Sequence, residues 1–207
     1  GGPLRIGPGV AAVDLLHCTL VPGRSFDADG EPASPRAASI LSGSGLASCA
    51  VRIERSIVGP VRLPAEGVTL TVLDGVVDAG EAATAIGGRA DAFGPTCDLR
   101  RVTILGGVRV RALGYASDVL FDGDVEVERT QRGCVRFSYV DDAAVTPRRY
   151  RCQPDAALAD APAAERERIR SRLRPRFTSR RYGAPGYVQL AAEAAEELRS
   201  GGSNEAE

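Results

Sequence analysis

Three aspartates, Asp118, Asp122 and Asp124, are the residues of this chain best spaced for acid–base chemistry. Asp122 and Asp124 flank Gly123, and in an extended strand residues two apart project to the same side. Glycoside hydrolysis needs two carboxyl groups about 5–9.5 Å apart, one of them protonated to assist the leaving group. Asp98, and with it Asp74 and Asp78, could join this group from other segments. A lyase would instead set a carboxylate-held calcium beside an arginine base, a part that Arg100 or Arg101 could play. The plainer account is turn chemistry, because Asp beside Gly is what tight turns select. Aromatic residues make up only 5% of the chain, and no exposed aromatic platform for sugar stacking is expected. The plainer account is preferred here: no catalytic residue is assigned, and the three aspartates stand as the weaker alternative.

Other chemistries find less. Cys18, Cys49, Cys97, Cys134 and Cys152 are widely spaced, with no CxxC, and His17 is the single histidine. Neither the types nor the spacing make a zinc site, so no metal and no cofactor is expected. An odd number of scattered cysteines suits reduced thiols packed as small apolar side chains, with a Cys134–Cys152 bridge as the alternative. His17 and Cys18 are adjacent, which in a strand turns them to opposite faces and spoils a nucleophile–base pair. The Gly87-Gly88 and Gly106-Gly107 pairs lack the Lys-Ser/Thr of a phosphate loop. The net charge is −1, which calls for neither nucleic acid nor an anionic membrane. Arg is concentrated in residues 148–181, interrupted by Pro and Ala, and has no recognition-helix form. No small-molecule substrate is evident. No apolar run reaches membrane-span length, no signal peptide is visible, and with reduced thiols this predicts a cytoplasmic protein. The chain lacks a starting Met and ends at Asn204-Glu205-Ala206-Glu207, which reads as a piece of a longer protein.

The elements that must position these residues are written in a repeat. IVGPVRL (57–63), ILGGVRV (104–110) and FDGDVEV (121–127) share one shape. Each sends two or three branched apolar residues to one face, a charged residue to the other, and keeps a glycine in the middle. Leu73–Asp78 is a weaker copy, Leu16–Val21 an earlier one, and Cys134–Val140 follows the third. The long interval between the first two strong copies contains an extra Gly-rich loop, from Ala79 to Pro95. A period near 17–20 residues with glycine corners is a solenoid signature. The expected fold is therefore all-β: a right-handed parallel β-helix of about six coils, spanning residues 1–147. In this arrangement Val61, Val108 and Val125 stack in one column, and Arg109 and Arg111 stack over Glu126 and Glu128.

Residues 148–207 read as an Arg-rich irregular and helical C-terminal appendage. The sequence predicts an irregular stretch over 148–160 and an exposed helix over Ala163–Arg174, stopped by Pro175. Phe177, Tyr182 and Tyr187 are expected to dock the next segment onto the solenoid. Val188 to Leu198 suggests a second, amphipathic helix, stopped by Gly201-Gly202.

Several phrases carry a family resemblance: HCTLVPG (17–23), QRGCVRFSYV (131–140), PRRYRCQP (147–154) and RPRFTSRRYGAPGYVQL (174–190). The chain resembles an uncharacterised bacterial family of right-handed β-helix proteins, some members of which are associated with phage-tail-like or contractile-injection gene clusters. That resemblance implies no activity and gives no residue a catalytic role. The expectation is a non-catalytic scaffold or interaction module within a larger bacterial protein, which meets protein partners or its own copies. The alternative is a carbohydrate-active hydrolase or lyase, or a carbohydrate-binding tail-spike-like domain.

Overall fold

A computed structural model describes residues 2–23 and 25–199. The chain runs repeatedly through the same three positions. The first pass contains β1 (Leu4–Ile6), β2 (Ala12–Leu16) and β3 (Thr19–Leu20). The second contains β4 (Ile40–Ser42), β5 (Cys49–Glu54) and β6 (Ile57–Val58). β7 (Val61–Arg62) and β8 (Val68–Asp78) form the third, β9 (Thr84–Gly87) and β10 (Gly94–Leu105) the fourth, and β11 (Gly107–Asp122) the fifth. β12 (Val125–Val127) and β13 (Cys134–Arg136) follow, and β14 (Arg148–Tyr150) closes the series. Together they make one 14-stranded curled sheet. Among the described residues every strand pair in it is parallel. The structure is thus all-β in its main body. No helix of the described residues is long and apolar enough to cross a membrane.

Like residues meet like across these pairings. Ile40, Val61, Ile86, Val108 and Val125 stand opposite one another in successive passes, each at most 3% exposed. The three valines of the repeated heptapeptide therefore share one column, as the sequence implied. A second column runs Val13, Val51, Leu70, Cys97, Leu113, and a third Leu20, Val58, Val77, Ile104, Phe121. No single pass buries its apolar side alone; each depends on the strand spacing of about 4.8 Å that sets side chain on side chain. The predicted charge ladder also forms, with Arg109 Nε 3.1 Å from Glu126 and Arg111 Nε 4.0 Å from Glu128. Glycine corners stack as well: a Cβ on Gly123 would lie 2.5 Å from the carbonyl carbon of Gly106.

Two readings of the sequence are corrected. The stretch from Ala79 to Pro95 is not only loop, because β9 lies inside it and supplies Ile86 to the first column. A run as short as Thr-Ala-Ile-Gly has no periodicity to reveal it; pairing from both sides makes it a strand. Likewise, residues 148–160 are not irregular throughout, since β14 continues the sheet and pairs with β13.

One corner is unusual. His17, Arg55, Asp74, Arg101, Asp118, Phe137 and Arg151 all have φ between 47° and 58°. Each follows directly on a member of the paired series Leu16, Glu54, Leu73, Arg100, Ser117, Arg136, Tyr150. The seven left-handed residues therefore mark one edge of the stack, pass after pass. Left-handed backbone costs a non-glycine residue roughly 1 kcal/mol. Hydrogen bonds at the bend offset that cost: Ser56 and Ser138 accept from the N–H groups of Cys18 and Val119, at 2.9 and 3.1 Å.

After Gln153 the chain leaves the sheet. α1 (Asp155–Leu158), a 3-10 turn (Ala163–Glu165) and α2 (Arg166–Leu173) follow. α2 is largely exposed, but Leu173 is fully buried against Tyr139, Ala195 and Leu198 in a second small core. The predicted amphipathic helix from Val188 to Leu198 is absent; only α3 (Glu196–Arg199) is helical. Val188 has φ 57°, and Phe177–Leu190 and Ser179–Tyr187 form bridges, so this segment folds back on itself instead. The proposed stop at Gly201-Gly202 lies outside the described residues.

Docking of that segment follows the expectation for two of its aromatics. Tyr182 stacks on Phe26 with ring centroids 5.8 Å apart. Tyr187 donates its hydroxyl to buried Asp78 at 2.6 Å. Burial, then the Asp78 contact, pushes the Tyr187 phenol far above its ordinary range. Tyr187→Phe leaves a buried carboxylate short of one donor and is expected to cost about 2 kcal/mol. Thermal denaturation reads the loss, and faster limited proteolysis within 176–191 localises it.

Candidate functional site

The bend at Asp118 decides how the candidate carboxylates are grouped. Strand alternation alone would put residues 118, 122 and 124 on one side. The left-handed turn at Asp118 (φ 57°) redirects the chain there, so Asp118 lines one cavity and Asp122 with Asp124 another. Asp118 accepts a hydrogen bond from the Ser117 hydroxyl at 2.6 Å. On the same edge Asp74 is held by Arg101 Nε and, at 3.0 Å, by Arg101 Nη2. That hydrogen bonding holds the Asp74 carboxyl below the usual range. Arg101 is thus tied up as an ion-pair partner, and Arg100 lies over the Tyr115 ring at 4.9 Å. Asp98 sits opposite Tyr115 on the outer face of β10, while Asp78 is covered by Tyr187.

Asp122 and Asp124 do come together, with Asp141, around a cavity of about 310 Å³ that Tyr139, Arg174 and Arg180 complete. Asp122 forms an ion pair with Arg180. Burial raises the Asp122 carboxyl more than the Arg180 and Arg174 guanidinium groups lower it. Burial raises the Tyr139 phenol too. Burial thus shifts the Asp122 carboxyl in the direction a general acid requires.

The larger cavity, about 660 Å³, lies between the left-handed edge and α3. Arg101, Asp118, Phe137 and Arg151 face it from the sheet; Arg172 and Glu197 face it from the other side. Arg172 pairs with Glu197 through two contacts, of 3.0 and 2.6 Å. Gln153 Oε1 is buried at its margin without a hydrogen-bond donor among the described residues.

Beside this cavity is a surface that the sequence did not announce. Arg100, Ser117, Arg136 and Tyr150 form one ladder, exposed at Arg100 and Tyr150 and buried at Ser117. Tyr115 and Arg148 lie two residues back along their strands, on the same side. The Arg136 guanidinium stands 5.1 Å from the Phe137 centroid and 5.4 Å from that of Tyr150. Arg151 covers Tyr150 at 5.6 Å, and Phe137 meets Tyr150 edge-on, with centroids 5.7 Å apart. Tyr150 is 50% exposed. The expectation that no aromatic platform reaches the surface is therefore corrected. These residues are scattered over some fifty positions, and register alone brings them together.

All five cysteines are free thiols; Cys49, Cys97 and Cys152 are buried and Cys18 and Cys134 partly so. The alternative Cys134–Cys152 bridge does not form. Desolvation pushes the Cys97 and Cys152 thiols upward, which leaves them poor nucleophiles. Among the described residues no cluster of three His, Cys, Asp or Glu side chains could hold a metal ion. No family model, no curated protein and no solved structure matches this chain.

Proposed function

We propose that this chain is a structural and interaction module: a right-handed parallel β-helix, within a larger bacterial protein, that holds a rigid surface toward protein partners or further copies of itself. The registered columns and the parallel pairing of every pass support the β-helix reading. The observation that carries the functional reading is the state of the carboxylates. Asp118 is separated from Asp122 and Asp124, Asp74 is bound by Arg101, and Asp122 is bound by Arg180. A catalytic pair needs both carboxyl groups free to face one substrate; Asp122, which shares a cavity with Asp124, is engaged by Arg180, and an ion-paired carboxylate serves rigidity instead. Free thiols support a cytoplasmic setting. The resemblance to a family with phage-tail-like gene neighbours makes the products of such neighbours the first partners to test.

The test is affinity capture with the full-length protein and the products of its genomic neighbours, followed by gel filtration. A partner that co-elutes at fixed stoichiometry, or a defined homo-oligomer, is the expected result; a monomer that captures none of them overturns the proposal. A second reading, carbohydrate hydrolysis at the smaller cavity, rests on the raised Asp122 carboxyl beside Asp124 and Asp141. It predicts release of reducing ends from some polysaccharide, and a fall of at least about 100-fold for Asp122→Asn. Turnover with that sensitivity would replace the scaffold reading.

A further inference from the structure

The geometry points to the exposed arginine–aromatic face of β10, β11, β13 and β14 as a binding surface for an acidic polysaccharide whose carboxylates recur on alternate sugars. The inference does not depend on the scaffold reading. It starts from unspent charge: Arg100, Arg136 and Arg148 form no ion pair within the described residues, although acids engage most arginines elsewhere on the sheet. The Arg100 and Arg136 guanidinium groups lie against aromatic rings instead, and Arg148 stands exposed nearby. A guanidinium that meets a ring rather than an acid keeps N–H donors free for a carboxylate, which it can grip with two parallel hydrogen bonds. The rings offer the second half of the recognition. The C–H face of a pyranose is apolar, and Tyr150, 50% exposed, offers it the ring surface that Arg136 and Arg151 leave uncovered.

Spacing selects the polymer. Arg100 and Arg136 occupy positions two strands apart in one ladder, with Ser117 between them, hence about 9–10 Å from backbone to backbone. A stacked nucleic-acid strand carries a phosphate about every 3.4 Å along its axis, far denser than these guanidinium groups. A chain with one carboxylate for every two sugars presents its charges at a sparser interval. Stacking of rigid passes fixes the ladder before ligand arrives, so little ordering cost is expected on binding.

The probes are fluorescein-labelled hyaluronan oligosaccharide, neutral dextran, oligo(dT) and poly(Glu), titrated with the full chain and read by fluorescence anisotropy. Hyaluronan should bind, dextran should not, and Arg136→Ala and Tyr150→Ala should each weaken hyaluronan about tenfold. Arg148→Ala, at an exposed strand position, repeats the test where folding is not at stake, and melting curves check every variant. The proposal is overturned by absent hyaluronan binding, by binding that these variants leave unchanged, or by oligo(dT) or poly(Glu) binding more tightly than hyaluronan.

Discussion

Phe121→Ala should lower the unfolding free energy by about 3–5 kcal/mol, the usual range for truncating a buried phenylalanine. Phe121 is the largest fully buried side chain among the described residues, 1% exposed, and it stands in the column that runs from Leu20 and Val58 through Val77 and Ile104. Its loss leaves a void with Ile104 on the preceding pass and the edge of the smaller cavity beside it. The surrounding strands are locked in register by hydrogen bonds on both sides, so they cannot collapse into the gap. In a protein whose total stability is about 5–15 kcal/mol, that is a large share. Urea titration followed by circular dichroism measures it, with a midpoint clearly below that of the parent chain. A loss under about 1 kcal/mol would mean that the column is not packed as described.

Gly133→Ala is expected to be worse. Gly133 has φ 89°, and a Cβ there would lie 1.7 Å from the carbonyl oxygen of Leu113 and 2.8 Å from that of Gly114. The obstacle is the backbone of the neighbouring pass, not a flexible side chain. Relief requires β13 to move off β11, which would break the Ala116–Val135 and Ser117–Arg136 pairings. Gly67, just before β8, meets the carbonyl oxygen of Ala47 at the same 1.7 Å. Both alanine variants should lose more than about 4 kcal/mol, seen as insoluble expression or as loss of the cooperative melt. Gly7→Ala is the control: nothing lies within 4 Å of its added methyl, and its effect should stay within about 0.5 kcal/mol. Comparable behaviour of the three variants would contradict the close stacking of passes.

The columns were legible in the sequence because one face is buried at every pass. Val61, Val108 and Val125 recur at the same place in a repeated phrase, and burial rewards that repetition. Ile86 was not legible, since its strand is too short to carry a pattern of its own. The left-handed edge was hidden for another reason. His, Arg, Asp and Phe have no shared preference for that backbone, and the requirement comes from the turn between neighbouring strands. That same turn separates Asp118 from Asp122 and Asp124, which alternation would have grouped. The arginine–aromatic face was hidden most deeply, because Arg100, Tyr115, Arg136 and Tyr150 become neighbours only once register is known. By contrast, the pairing of Arg109 with Glu126 could be read directly, as both sit at one position of consecutive phrases.

The left-handed edge also limits how such a chain can change in length. Its middle members alternate in sign, Arg55, Asp74, Arg101, Asp118, and the Arg101–Asp74 contact is an ion pair. Excising the single pass that holds Asp74 would set Arg55 against Arg101, cation upon cation. Excising two adjacent passes would restore the alternation. Loss of the Asp74 pass or of the Arg101 pass alone is therefore electrostatically penalised, whereas loss of the two together is not.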